Sequence, residues 1–237
     1  LILPFVILNN IKLIGNSKHN VTFHPYVESA DLRDRHDGEK KIEYFTEKQI
    51  EKGFSFLKNY GLDKKDKFVC LLCRDPAYVN NLYTKTYDLA FNKHGDDSDF
   101  RYTDIENFRL VSEYLTNQGY YVFRMGKNIS RPFSINNEKF IDYASLNNKS
   151  DFLDIFLSSH CEFFISTGAG LDVVAQVFDK PIVLVSCAQV AWTRSSNKKQ
   201  LTIYKHFVNK KTEKNLTLSE IFKSELAMLD HSKSFKE

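Results

Sequence analysis

The chain carries little excess charge, few cysteines and no apolar run long enough to span a bilayer, and each shortage closes off a class of function. Its 33 basic and 30 acidic residues leave a formal net charge of +3, so the balance does not call for the strongly basic face that drives nucleic-acid binding. The apolar opening, residues 1–8, is short and interrupted by Pro4, and it lacks the basic start and small-residue cleavage site of a secretory signal. We read it as a buried strand or helix end. Residue 1 is Leu rather than Met, and the chain is read as a piece of something longer. Four cysteines could suggest disulfides or a metal site, but their placement argues against both. Cys70 and Cys73 lie in one apolar run, where positions three apart point to opposite faces of a strand, so the pair is not placed to chelate one ion. Cys161 and Cys187 also sit in or beside apolar strands, and all four are expected to be reduced, inward-facing thiols of a cytoplasmic protein.

At 237 residues with 42% hydrophobic content, the chain can bury one large core or two modest ones. Thr46 followed by Gln49 forms a capping-box pattern, Ile50, Phe54 and Leu57 follow at helical spacing, and Gly61 supplies a stop. Beyond it strands and helices alternate: Phe68 to Cys73, Asp104 to Gln118, Tyr120 to Met125, Asp151 to Ser159, Glu162 to Ser166, Leu171 to Phe178 and Pro181 to Ser186. That order predicts an α/β fold, a Rossmann-like parallel sheet with helices on both faces. A closing helix is expected over Leu218 to Leu229, with Leu218, Ile221, Phe222, Leu226 and Leu229 on one stripe. Residues 1–62 read as an N-terminal extension ending in a linker helix, and 63–237 as the main domain.

The most informative stretch is CEFFISTGAGLDVVAQVFDKPIVLV, residues 161–185. Phe163, Phe164 and Ile165 read as a strand buried on both faces, and Gly168, Ala169 and Gly170 leave the backbone bare enough for a ligand to come close. The helix that follows aims unpaired N–H groups and the positive end of its dipole at this corner. A phosphate or pyrophosphate suits it. Ser166-Thr167-Gly168-Ala169-Gly170 nevertheless lacks the spacing of the dinucleotide fingerprint and the Lys-Ser/Thr pair of a P-loop, and a glycine turn also serves simply to reverse the chain.

Other strand ends add cations along the same edge. The first ends in Arg74 and Asp75, the second in Arg124, Gly126 and Lys127, and the long loop after the first strand brings His94, Arg101 and Tyr102. Together with the glycine turn they point to an anionic ligand beyond the carboxyl ends of the strands. Asp104 reads as a helix cap, Asp154 and Asp172 as helix-surface or first-turn charges, and Trp192 as a partly buried aromatic. The cluster Asp31 to Asp37, containing His36, reads as a solvated loop rather than a metal or catalytic centre.

The ordered segments FVCLLCRD, FRYTDIENF, YYVFRMGK, IDYA, SDFLDIFLSSHCEFFISTGAGL and KPIVLV resemble a family of bacterial glycosyltransferases associated with surface polysaccharide clusters. Thr167 to Val185 looks more distantly like the donor-binding segment of lipopolysaccharide heptosyltransferases. The resemblance implies the C-terminal, donor-binding half of a two-Rossmann-domain (GT-B) enzyme. By carry-over, Arg74 and the Ser166 to Gly170 turn would contact the donor diphosphate, with Arg101, Arg124 and Lys127 nearby. It implies a nucleotide-diphosphate sugar donor, a glycan or lipid-linked acceptor, metal-independent transfer with no cofactor, and a cytoplasmic protein with peripheral association at the inner face of the membrane. The N-terminal acceptor half is largely lacking, so this chain alone is expected to be inactive. The alternatives are a pyruvyl transferase or nucleotide-sugar epimerase of similar fold, or a non-catalytic binding module.

Overall fold

The computed structural model describes residues 45–78, 99–188, 190, 198–224 and 226. The regions around Asp31 to Asp37, His94, Trp192 and Leu229 lie outside them.

Helix α1 (Glu47–Lys58) starts at Thr46 through a complete capping box: the Thr46 side chain accepts the Gln49 N–H, and the Gln49 side chain accepts the Thr46 N–H at 2.8 Å. Strand β1 (Phe68–Leu72) is buried at every position, as a central strand covered on both faces must be. After a 3₁₀ turn at Asp99–Arg101 and another at Ile105–Phe108 comes helix α2 (Arg109–Asn117), then strands β2 (Tyr121–Met125) and β3 (Phe140–Ile141). Helix α3 (Asp151–His160) leads to β4 (Phe164–Ser166), α4 (Gly170–Val177), β5 (Ile182–Cys187), β6 (Gln200–Tyr204) and α5 (Leu218–Lys223).

The six strands form one sheet in the order β3-β2-β1-β4-β5-β6, and each neighbouring pair is parallel. This is the strand order of a Rossmann-type doubly wound sheet, which confirms the expected fold class. Residues from α1, α3 and α4, such as Phe56, Leu57, Phe156, Leu157 and Ala175, fill the core on one face. On the other face Leu115 of α2 joins Ile105, Phe108 and Phe133 against Val69, Leu71, Val122 and Ile165. Gly53 of α1 lets that helix sit directly on α3, since a Cβ there would lie 2.2 Å from the Phe156 ring.

Cys70 belongs to the first core and Cys73 to the second, so the two thiols do point to opposite faces. All four cysteines are free; Cys70, Cys73 and Cys161 are buried and Cys187 is half-buried. Burial pushes the Cys73 thiol up to about 12, which keeps it protonated at neutral pH.

Two expectations are corrected. The sheet has six strands where the sequence suggested four: β3 is only two residues long, and β6 alternates between half-buried and exposed positions. Helix α5 ends at Lys223 rather than continuing, because Ser224 is extended. Leu218 and Phe222 are exposed, while Ile221 is buried with Val190 in a small satellite core that Leu226 joins.

Candidate functional site

The chain runs outward from β1 through β2 to β3, then returns to the other side of β1 with β4. After β1 the chain proceeds to α2 on one face of the sheet, and after β4 to α4 on the opposite face. The two connections diverge at the carboxyl ends of β1 and β4, the topological switch point where open α/β sheets bind ligands.

The glycine turn forms one wall. Ser166 and Thr167 are buried and face inward. The Thr167 hydroxyl accepts the Arg74 N–H at 2.8 Å and so ties the two strand ends together. The Ser166 hydroxyl accepts the Gly168 N–H at 3.0 Å and donates to Asp172 Oδ2 at 2.7 Å, which also accepts the Ala169 N–H at 2.8 Å. Asp172 is, as one of its two expected roles had it, a first-turn charge of α4, but at 1% exposure it is an internal brace of the turn and not on the helix surface. An acidic residue at the third position of a helix is the sequence signal for such a brace.

The N–H groups of Gly170 and Leu171, in the first turn of α4, are not used within the protein among the described residues. Gly168 has φ +84°, a conformation that favours glycine, and a Cβ at either Gly168 or Gly170 would meet nothing of the described residues within 4 Å. Among those residues the corner is bare, and none of them requires either glycine for packing.

Two arginines form the facing wall. The Arg101 guanidinium donates to the Gly168 carbonyl at 3.2 Å through Nη2. Burial, reinforced by the nearby Arg74 charge, pulls the Arg101 pKa below its usual value. Arg74 lies over the Tyr102 ring, with Cζ 5.9 Å from its centroid, and its buried Nε has no hydrogen-bond partner. Neither guanidinium has a carboxylate within ion-pair distance among the described residues. A buried, unpaired cationic donor costs about 1–3 kcal/mol or more, which an arriving anion relieves.

The remaining predicted residues are engaged elsewhere. Arg124 is 2% exposed, donates to the Arg131 carbonyl at 2.9 Å and pairs with Asp142 at 3.4 Å. Asp142 is further held by the Phe133 N–H and the Ser145 hydroxyl, so the pair is an internal joint between loops. Lys127 is exposed and pairs with Asp151 at 3.4 Å, while the preceding Gly126 packs closely enough that a Cβ would touch Ile129 and Ala144. Asp75 accepts the Ser130 N–H at 2.9 Å and its hydroxyl at 2.5 Å, joining the loops after β1 and β2. The structure therefore brings Arg74, Arg101, Tyr102 and the 166–170 turn together, and gives Arg124, Lys127 and Asp75 other partners.

Asp104 caps the turn before α2, accepting the Glu106 N–H at 3.0 Å and the Arg131 guanidinium at 2.5 Å; these bonds hold its pKa below the usual value. Asp154 lies in the first turn of α3 but is half-buried under the Tyr143 hydroxyl at 2.8 Å, and burial raises its pKa. Sequence reasoning missed Lys205, whose ammonium donates to the carbonyls of Phe100 and Tyr102 at 2.8 Å each, on either side of Arg101. It follows a strand that carries no strong apolar signal, so nothing marked it. Among the described residues no cluster of three His, Cys, Asp or Glu side chains is placed to hold a metal, and no helix is long and apolar enough to cross a membrane.

No family model and no curated protein matches the chain. Among solved structures, the crystal structure of the glycosyl transferase family 9 from Veillonella parvula DSM 2008 matches over 83% of this chain and 51% of that one, at 12% identity and a TM-score of 0.45. The present chain spans about half the length of that protein.

Proposed function

We propose that residues 63–237 form a nucleotide-sugar-binding domain, and that the complete protein is a glycosyltransferase passing a sugar from a nucleotide-diphosphate donor to a glycan or lipid-linked acceptor in surface polysaccharide synthesis. The observation that carries this reading is the pair of guanidinium groups, Arg74 and Arg101, which meet no carboxylate among the described residues and are set against the Gly170 and Leu171 N–H groups, unused among those residues, where β1 and β4 end. Such a corner favours a group bearing at least two negative charges on adjacent oxygens, as a diphosphate does.

The chemistry follows from charge. As the glycosidic bond of the donor breaks, its electron pair goes to the diphosphate oxygen, which gains negative charge. Arg74, Arg101 and the α4 amides stabilise that oxygen more strongly in the transition state than in the ground state, and they need not reorganise to do so. The positive charge comes from the protein itself, so transfer proceeds without a metal and survives chelation. The acceptor-binding surface and the group that deprotonates the acceptor hydroxyl are supplied by the complete protein, acting at the cytoplasmic face of the membrane.

The test has two stages. Nucleoside diphosphates should raise the melting temperature of this chain, since a ligand bound only by the native state stabilises it. Arg74→Ala should abolish most of that shift, while a wild-type shift in this variant would count heavily against the reading. Product analysis of the full-length protein with labelled nucleotide sugars then identifies glycosyl transfer, as against pyruvyl transfer, epimerisation or binding without turnover.

A further inference from the structure

The Asp99–Arg101 turn lies outside the sheet and the long helices, yet it must hold a half-buried guanidinium beside another of the same charge. Two such groups repel, and burial makes the repulsion worse. Something has to impose the arrangement. The Lys205 ammonium is placed to do so, donating to the Phe100 and Tyr102 carbonyls at 2.8 Å each across more than a hundred residues of sequence. Lys205 is itself fixed, because it directly follows β6 and its backbone N–H donates to the Cys187 carbonyl at 2.9 Å. The residue between the two gripped carbonyls is Arg101, whose side chain reaches Gly168.

We propose that Lys205 is a positioning residue of the anion site: a strut from the last strand that clamps the turn on both sides of Arg101 and holds its guanidinium at the Gly168 corner. The proposal rests on the anion-binding reading above. Lysine suits the task because its compact ammonium offers three donors, enough to satisfy both carbonyls at once. An apolar replacement removes the ammonium donor that both carbonyls share and loosens the turn.

The experiment uses the intact chain, inorganic pyrophosphate as the probe, and hydrogen exchange over residues 99–103. Lys205→Met should weaken pyrophosphate binding about tenfold and speed exchange in the turn, while Lys205→Arg, which keeps charge and donors, should retain most of both. In an Arg101→Ala background, Lys205→Met should weaken binding by less than about twofold, because its effect is exerted through Arg101. Were Lys205→Met unable to fold, Lys205→Gln, which keeps a donor for one carbonyl, enters the same cycle. Unchanged affinity and exchange, or the same loss with and without Arg101, overturns the proposal. Exchange that responds to Lys205→Met in a protein that binds no pyrophosphate leaves the clamp intact and overturns the anion reading, and the site role of Lys205 with it.

Discussion

Gly170→Ala separates a ligand-bearing corner from a merely convenient turn, because the two readings predict opposite outcomes. Gly170 is the first residue of α4, it does not have a positive φ, and no atom of the described residues outside its own helix would lie within 4 Å of an added Cβ. On stability grounds alanine is the better residue: glycine in a helix costs up to about 1 kcal/mol relative to alanine, through the extra freedom of the unfolded chain. At roughly 2–4 °C per kcal/mol for a protein of this size, the variant should melt at the same temperature as wild type or slightly above it. Binding should move the other way. The methyl group projects into the open space beside the Gly170 and Leu171 N–H groups, and losing one charge-assisted hydrogen bond there costs about 1.5–3 kcal/mol, or roughly tenfold to a hundredfold in Kd. Calorimetric titration with a nucleoside diphosphate, alongside a thermal melt, reads both quantities. A variant that melts higher and binds as well as wild type would refute the reasoning, since the corner would then have no guest.

Arg124→Met should destabilise the fold by about 3–5 kcal/mol in denaturant titration by leaving Asp142 without its partner, while the fraction that remains folded binds a nucleoside diphosphate with near wild-type affinity. Gly53→Ala forces the Phe156 ring and the α1/α3 contact to shift, and should cost about 1–3 kcal/mol by the same measurement. His160, stacked on Phe156 at 4.1 Å, has its pKa lowered by burial. The unfolded chain therefore takes up this proton first as pH falls through the usual histidine range near 6.5, and stability should decline there; His160→Phe should flatten that part of a melting-temperature profile between pH 5 and 7.5.

The central strands were legible because burial on both faces leaves a continuous apolar run, as in Phe68 to Leu72 and Phe164 to Ile165. The same alternation rule separated Cys70 from Cys73. The edges were not legible: β3 is too short to show a period, and β6 mixes Gln200 and Thr202 with Leu201 and Ile203. Their loss hid Lys205. Arg74 could be proposed from its place at a strand end and Arg101 from the long loop after the first strand, whereas the role of Arg124 depended on Asp142, which sequence spacing does not put beside it. A basic residue at the end of a strand has the same sequence appearance whether it faces a ligand or an internal carboxylate; only the fold distinguishes them.

Asp172 and Ser166 already hold the 168–170 backbone in place from within, with no ligand needed to shape it. The entropy of ordering this loop is therefore settled when the protein folds rather than at each encounter. Association of an anion here should be a single fast step, sensitive to ionic strength through the Arg74 and Arg101 charges, with no slow phase from loop rearrangement.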